Sequence, residues 1–337
     1  MVKSALISGV SGQDGAYLAE YLLKKGYRVL GGDRRAASNT FWRLKKLGIL
    51  DDIEIINLDV SEFSNVFNIV KKYKPDEIYN LAAQSFVGSS FDLPIVTSDS
   101  TAIGTTRILE AIKLISSDTK FYQASSSEMF GKVREIPQKE TTPFYPRSPY
   151  AVSKVYSHMM AVNYREAHNM YCSCGILFNH ESPLRGENFV TKKIVMALTR
   201  IIKNKQKILE VGNLEAKRDW GYAKDYVEAM YLMLQQKKSD DYVIATGKTH
   251  SVRDFIKITC KYLDIKIGWK KKGVHEVGIN KKNNKIIIKI NPKFYRPTEV
   301  DYLIGDYSKA RKHLSWKPRY NFEQLVEMMV RFELENS

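Results

Sequence analysis

Tyr150 and Lys154 stand four residues apart in the run Ser148-Pro149-Tyr150-Ala151-Val152-Ser153-Lys154, a spacing that puts phenol and ammonium on one face of a helix. Such a pair suits removal of a proton from a hydroxyl while that carbon is oxidised. An ordinary tyrosine titrates near 10, so base action at neutral pH needs the phenolate favoured by about three units, roughly 4 kcal/mol. A nearby positive charge, here Lys154, is expected to supply that preference. Upstream, Ala124-Ser125-Ser126-Ser127-Glu128 follows an apolar run. Ser126 is placed to hydrogen-bond a substrate hydroxyl, and Glu128 adds a carboxylate for a second proton transfer. The bland alternative is that Ser126 and Glu128 only cap a turn.

A second constellation opens the chain. Gly9-Val10-Ser11-Gly12-Gln13-Asp14-Gly15 follows the first apolar run and leads into a helical pattern, the setting a dinucleotide-binding loop requires. Gly9, Gly12 and Gly15 permit a tight turn, and backbone N–H groups near Gln13 and Asp14 meet a pyrophosphate. The oxidised nicotinamide ring then joins Lys154 as a positive neighbour of Tyr150. The end of the second strand bears on cofactor type and points two ways. Asp33 suits the ribose 2′-hydroxyl of NAD, whereas Arg34 and Arg35 suit the 2′-phosphate of NADP. The paired arginines favour NADP, with Asp33 paired by its arginine neighbours; NAD is the alternative. Asp59, after the third strand, is positioned for the adenine ring or simply as a turn residue. Leu81, closing the fourth strand, joins the cofactor-binding set.

The elements that carry these residues alternate. Apolar runs at 5–8, 29–32, 53–58, 77–81, 121–124 and 172–177 are separated by helix-period stretches at 16–25, 62–73, 104–115 and 151–167. That alternation predicts an α/β fold, a Rossmann-type doubly wound parallel sheet, with a smaller C-terminal substrate-binding lobe. The expected division is a cofactor domain at 1–178, completed by about 219–250, and a substrate lobe from 179–218 and 251–337. A strand-like run recurs at 242–245. The Lys- and Asn-rich stretch 270–285 reads as an insertion before a hairpin strand at 286–290.

The 337 residues carry 53 basic and 37 acidic side chains, a net +16, which favours anionic partners. The lysines fall in separated clusters, so a solvated surface fits better than a nucleic-acid footprint. Cys172, Cys174 and Cys260 are too few and too scattered for a zinc site, and read as buried thiols in a reducing compartment. The N-terminus has no signal-peptide pattern and no apolar stretch is long enough to span a membrane, so a cytoplasmic protein is expected.

Along nearly its whole length the chain resembles the extended short-chain dehydrogenase/reductase superfamily, and within it the GDP-mannose 4,6-dehydratases. The segments that carry the likeness are GVSGQDGAYLAEYLLKKGY, NLAAQSFVGSSF, FYQASSSEMFG, TTPFYPRSPYAVSK, GILFNHESPLRGENFVTKKI, KRDWGYAKDYVEAM and FYRPTEVDYLIGD. The resemblance implies Tyr150 as base for oxidation at sugar C4, Lys154 on the nicotinamide ribose and Glu128 as base for dehydration. It implies Asn179, Lys193, Arg218, Arg296 and Glu299 at the GDP end, and Ser85 near the sugar. His180 and Arg185 are expected to approach the cofactor, though a lone His180 reads equally well as structural. The family more often has Thr where this chain has Ser126, which keeps the hydroxyl and loses a rotamer-restricting methyl. Agreement is weakest at Asp33 and at 270–285.

The implied chemistry is coherent. The C5 proton of a hexose is not acidic, but a ketone at C4 makes it so and makes the 6-hydroxyl a β leaving group. Hydride stored on the cofactor then returns to C6. The resemblance further implies a homodimer or homotetramer. The alternatives are a dehydratase of another GDP-hexose or GDP-heptose, an epimerase or reductase on the same scaffold, or a Rossmann-type protein recruited to nucleic acid by its charge.

Overall fold

Short β-branched runs between helix-period segments leave the chain few ways to bury its apolar faces except as a helix-covered parallel sheet. The computed structural model describes residues 2–295, 298, 300 and 302–336. The strands in chain order are β1 Ser4–Ser8, β2 Arg28–Asp33, β3 Glu54–Asn57, β4 Glu77–Asn80, β5 Lys120–Ser126, β6 Cys172–Leu177, β7 Asn179–Glu181, β8 Leu209–Val211, β9 Lys217–Arg218, β10 Trp220–Tyr222, β11 Asp241–Ile244, β12 His250–Ser251, β13 Ile267–Lys270, β14 Val277–Asn280 and β15 Lys285–Ile290. The helices are α1 Gln13–Lys24, α2 Trp42–Leu47, α3 Phe63–Tyr73, α4 Val87–Asp92, α5 Pro94–Thr97, α6 Gly104–Ile115, α7 Pro149–His168, α8 Val190–Ile202, α9 Ala223–Leu234, α10 Val252–Tyr262, α11 Ser308–Leu314 and α12 Phe322–Asn336.

Among the described residues the central sheet has seven strands in the order β11-β6-β5-β4-β1-β2-β3, every pair parallel. The order reverses between β1 and β4, and the carboxyl ends of strands at such a switch point form the natural crevice for a ligand. The sheet is dry: Ile7, Tyr79, Phe121, Tyr122 and Ile176 are 0% exposed. Each such side chain contributes on the order of 1.5–3 kcal/mol through burial. Cys172 and Cys174, expected as buried strand thiols, lie in β6 and are free and fully buried.

A second apolar core gathers Trp220, Phe255, Ile256, Ile288, Leu325, Val326 and Met329. The Lys-rich stretch is more ordered than its composition suggests. β13, β14 and β15 pair antiparallel, with an irregularity at Gly278/Ile279, and β15 continues parallel to β8. Its lysines are exposed while the adjacent Ile287 and Ile288 are both buried in the second core, so a few apolar residues outweigh the polar composition. No described helix is long and apolar enough to cross a membrane.

Candidate active site

The glycine loop leaves β1 and enters α1 as expected. Gly9 has φ +77, a conformation that side chains resist, and its backbone N–H reaches Gly32 O at 2.8 Å. A Cβ on Gly15 would lie 2.4 Å from Gly9 O, so the helix starts against the loop only because Gly15 has none. Gly12 is the N-cap, and no side chain caps the α1 N-terminus. A helix N-terminus left without a side-chain cap beside a strand-end crevice fits an anionic pyrophosphate.

Asp33 closes β2. Its Oδ1 accepts from the backbone N–H of Arg34 at 2.9 Å, and its buried Oδ2 has no hydrogen-bond partner among the described residues. The expected pairing of Asp33 with its arginine neighbours does not form through their guanidinium groups. Both arginines are exposed, and the backbone supplies the donor instead. An orphaned carboxylate oxygen here fits a ribose hydroxyl. Arg35 is steadied by its backbone N–H on Asn57 Oδ1 at 3.1 Å. Asp59 takes the turn-residue alternative: its Oδ1 accepts from Ser61 N at 2.9 Å and Ser61 Oγ at 2.5 Å ahead of α3. Leu81 is half-buried just past β4.

Ser148 caps α7, accepting from Ala151 N at 3.1 Å, with Pro149 at the first helical position. This start presents Tyr150 and Lys154 inward toward the end of β5, 9% and 4% exposed respectively. Ser126 terminates β5, and its hydroxyl lies near enough to the Tyr150 phenol to favour the phenolate. The same oxygen accepts from Glu128 N at 3.2 Å, so Ser126 both caps the helical turn 127–129 and faces Tyr150. Glu128 is buried, and its charge is felt at Tyr150. The cap is thus realised, and it leaves Ser126 facing Tyr150.

The expected lowering of the phenol by Lys154 is not achieved by the protein's own residues. Burial pushes Tyr150 up to about 12, opposed by the Ser126 hydroxyl and the Arg185 charge, while Glu128 and Asp14 add to the rise. Lys154 Nζ donates to Ala124 O at 2.7 Å and stands 5.8 Å from the centre of the Tyr150 ring. Burial brings this ammonium down to about 8, against the pull of Asp14. Desolvation of both groups wins because neither has a full opposite charge in contact.

His180 is tied on both sides. Nδ1 is 2.7 Å from Phe178 O and Nε2 is 2.7 Å from Asp14 Oδ2, with the ring stacked on Tyr226 at 4.5 Å. Burial would raise Asp14, but the His180 charge and hydrogen bond outweigh it and hold the carboxyl at about 2; Asp14 in turn holds the imidazole above its usual value despite burial. Gln13 completes the join, donating to His180 O and accepting from Ser182 Oγ. This favours the structural alternative for His180, which locks the start of α1 to β7. Arg185 pairs with Glu181 at 3.0 Å and lies 3.6 Å over the Phe189 ring.

Of the residues expected at the substrate, Asn179 starts β7 with a buried Oδ1 that has no partner among the described residues. Lys193 lies 3.4 Å over the Phe294 ring. Arg218 is buried and donates to Val300 O at 2.6 Å. Ser85 is exposed just before α4. Arg296 and Glu299 lie outside the described residues.

Three contributors escaped sequence reasoning. Arg43 bridges Ser11 O at 2.9 Å and Leu184 O at 2.7 Å, clamping the glycine loop to the 182–186 turn. Asp219 is fully buried and accepts from Thr246 N, Thr246 Oγ1 and Gly247 N at 2.7–2.9 Å; burial raises it to about 6 despite these bonds. Beneath the switch point, Ser8 Oγ donates to Asn80 Oδ1, and Asn80 Nδ2 donates to Thr105 Oγ1 and Gln123 Oε1. Polar residues inside otherwise apolar strand runs are the signal that would have found this last network.

Comparison with known proteins agrees with this geometry. The family model for GDP-mannose 4,6 dehydratase matches residues 6–329. The GDP-mannose 4,6 dehydratases of Drosophila melanogaster and Homo sapiens are 51% and 50% identical to the chain, covering 99% and 98% of it and 86% and 91% of themselves. The GDP-mannose 4,6-dehydratase of Vibrio cholerae is 48% identical over 99% of the chain and 95% of its own length. In fold, dTDP-glucose 4,6-dehydratase from Bacillus anthracis, solved in complex with NAD, superposes with a TM-score of 0.82 at 20% identity, covering 99% of this chain and 97% of that one. UDP-glucose 4-epimerase from Thermus thermophilus, also with NAD, gives 0.81 at 20% identity over 99% and 100%. A glycine loop at the switch point, Ser126 against Tyr150 with Glu128 beside them, and near full-length identity of about one half lead to one assignment: the chain belongs to the GDP-mannose 4,6-dehydratase family.

Proposed function

We propose that the chain converts GDP-mannose to GDP-4-keto-6-deoxymannose with net loss of one water. The observation that carries this reading is the meeting of two proton-transfer groups at the end of β5: Tyr150 on Ser126, and Glu128 two residues on. A bound dinucleotide would supply the acceptor for hydride from C4 and the donor that returns it to C6. Tyr150 removes the proton of the 4-hydroxyl, with Ser126 holding that hydroxyl and Lys154 placed for the cofactor ribose. Glu128 removes the C5 proton made acidic by the C4 ketone; the two protons taken up by Tyr150 and Glu128 are balanced by one that leaves with the 6-hydroxyl as water and one that returns to C5. A positioned base is typically worth 10²- to 10⁴-fold, or about 2.7 to 5.4 kcal/mol, so the chemistry needs both.

NADP is the proposed cofactor, held by the α1 N-terminus and by Arg34 and Arg35, with Arg35 on the 2′-phosphate; exposed guanidinium groups beside the end of β2 support this. Residues 1–178 with 219–250 serve the cofactor, and 179–218 with 251–337 serve the nucleotide sugar through Asn179, Lys193, Arg218, Arg296 and Glu299. The free buried cysteines suit a cytoplasmic setting. A homodimer or homotetramer with residues 34–39 at or near a contact is further proposed. Exposed Ile95, Val96, Val152 and Met159, 82%, 52%, 55% and 50% accessible, are more apolar surface than a monomer's helices usually show water.

The test is incubation of purified protein with GDP-mannose and a catalytic amount of NADP, followed by mass analysis. A product lighter by one water with no net cofactor consumption is expected. An unchanged sugar mass would mean epimerisation, and stoichiometric consumption of reduced cofactor would mean a reductase.

A further inference from the structure

Helix α7 buries an unusually polar face: Ser153, Lys154, Ser157 and His158 all point inward with Tyr150. Its contacts with β5 come in sequence. Tyr150 faces Ser126, Lys154 Nζ donates to Ala124 O at 2.7 Å, and His158 Nδ1 lies 3.0 Å from Ser125 Oγ. Successive turns of the helix that carries Tyr150 and Lys154 thus meet three consecutive residues at the end of β5, and hydrogen bonds hold Ala124 and Ser125. His158 is 5% exposed and Ser125 3%, so water does not compete for this bond.

The imidazole itself is held from the far side. Its Nε2 faces Asp241 Oδ2 at 4.0 Å, and Asp241 is fixed by two Arg165 bonds of 2.9 Å each. The ring also packs edge-on against Phe144 at 5.3 Å. A carboxylate toward Nε2 favours the tautomer with hydrogen on that nitrogen, which leaves Nδ1 to accept the Ser125 hydroxyl proton. Nothing in this arrangement touches a substrate, and nothing in the proposed chemistry uses His158.

We infer that His158 is a positioning residue: through Ser125 it sets the register of the β5 end against α7, and so the placement of Ser126 and Glu128 relative to Tyr150. The inference rests on the roles proposed above for those residues. Ser125 precedes Ser126 directly, so a shift of its backbone is passed on to Ser126 and then to Glu128, whose N–H sits on Ser126 Oγ. Reaction rate is steeply sensitive to such placement, with 1 Å capable of costing about 100-fold. Substrate binding relies on Asn179, Lys193 and Arg218, which are carried by other elements.

The experiment is a steady-state comparison of His158→Leu, Ser125→Ala, the double variant and His158→Asn, with thermal melting of each. His158→Leu and Ser125→Ala should each lower kcat by about 10- to 100-fold with KM for GDP-mannose changed less than about threefold. The double variant should be no worse than the poorer single one, since both remove one bond. His158→Asn places an acceptor where Nδ1 was, and should recover most of kcat whatever its melting temperature. Wild-type kcat in His158→Leu or Ser125→Ala, additive losses, or a loss confined to KM or to melting temperature would overturn the inference. Tyr150→Phe serves as the control: if it too keeps its activity, the assignment of the base has failed rather than the role of His158.

Discussion

Burial at the end of β5 lifts the Tyr150 phenol to about 12, away from the phenolate the reaction needs, and brings the Lys154 ammonium down to about 8, where it still carries its proton at neutral pH. A bound positive ring is what the proposed chemistry adds there. In the proposed mechanism Glu128 distinguishes dehydration from plain oxidation. Glu128→Gln keeps the size of the side chain but cannot take a proton, so bound cofactor should still be reduced in a single turnover while net water loss falls by about 10²- to 10⁴-fold. Stopped-flow absorbance of reduced nicotinamide beside product mass separates the two, and wild-type dehydration would remove Glu128 from the site. His180 supports a different prediction. Asp14, lowered from 3.8 to about 2, contributes stability present above pH 3.8 and lost as pH falls through about 2. His180, raised above 6.5, contributes stability present below 6.5 and lost as pH rises through its folded value. The pair therefore stabilises most between roughly pH 4 and 6.5. The melting-temperature gap between wild type and His180→Asn should be widest there and should shrink toward pH 9; a gap that widens with pH would mean another group dominates. The spacing of Tyr150 and Lys154 was legible in the sequence, whereas the preference for a neutral phenol was not, since it comes from burial by elements distant in the chain.

At the scale of elements, the glycine loop and the α7 start are local devices, which is why they could be read from residue order. Gly9, Gly12 and Gly15 specify a turn, and Ser148-Pro149 specifies a helix beginning. Gly15→Ala would place a methyl 2.4 Å from Gly9 O, and the loop must move. Overpacking of this kind costs about 1–3 kcal/mol, so cofactor affinity should drop by about 5- to 160-fold with a lower melting temperature. Unchanged binding by titration calorimetry would show that the pyrophosphate does not use this loop. At the end of β2, Arg35→Ala should weaken NADP by about 1.5–3 kcal/mol while leaving NAD nearly unchanged. Equal losses for both, or an initial preference for NAD, would give the choice to the orphaned Oδ2 of Asp33. Less was legible where partners are remote. Arg43 reaches Ser11 and Leu184 across 32 and 141 residues, and no local pattern encodes that. The 270–285 stretch looked irregular because its lysines outnumber the few buried apolar residues of β13, β14 and β15, which pair with one another.

Across the whole molecule, the strand and helix alternation of the first half was enough to anticipate a parallel sheet, because right-handed crossovers leave few other topologies. The late strand β11, which joins the sheet beside β6, shows how far apart its parts can lie. The +16 charge is spread over exposed lysines of several elements and suits phosphorylated ligands. The exposure of Ile95, Val96, Val152 and Met159 makes a mass measurement informative. Light scattering at micromolar concentration should give a dimer or tetramer, and Met159→Glu should shift it toward smaller species; a monomeric wild type would contradict the assembly proposed.

The central claim is that one site oxidises C4, eliminates across C5 and C6, and returns the same hydrogen to C6. Its most direct test is GDP-mannose carrying deuterium at C4, turned over with catalytic NADP in ordinary water and analysed by NMR. The account predicts that the label moves from C4 to C6 of a 4-keto-6-deoxy product. Label that remains at C4, or is absent from C6 of a dehydrated product, would contradict it.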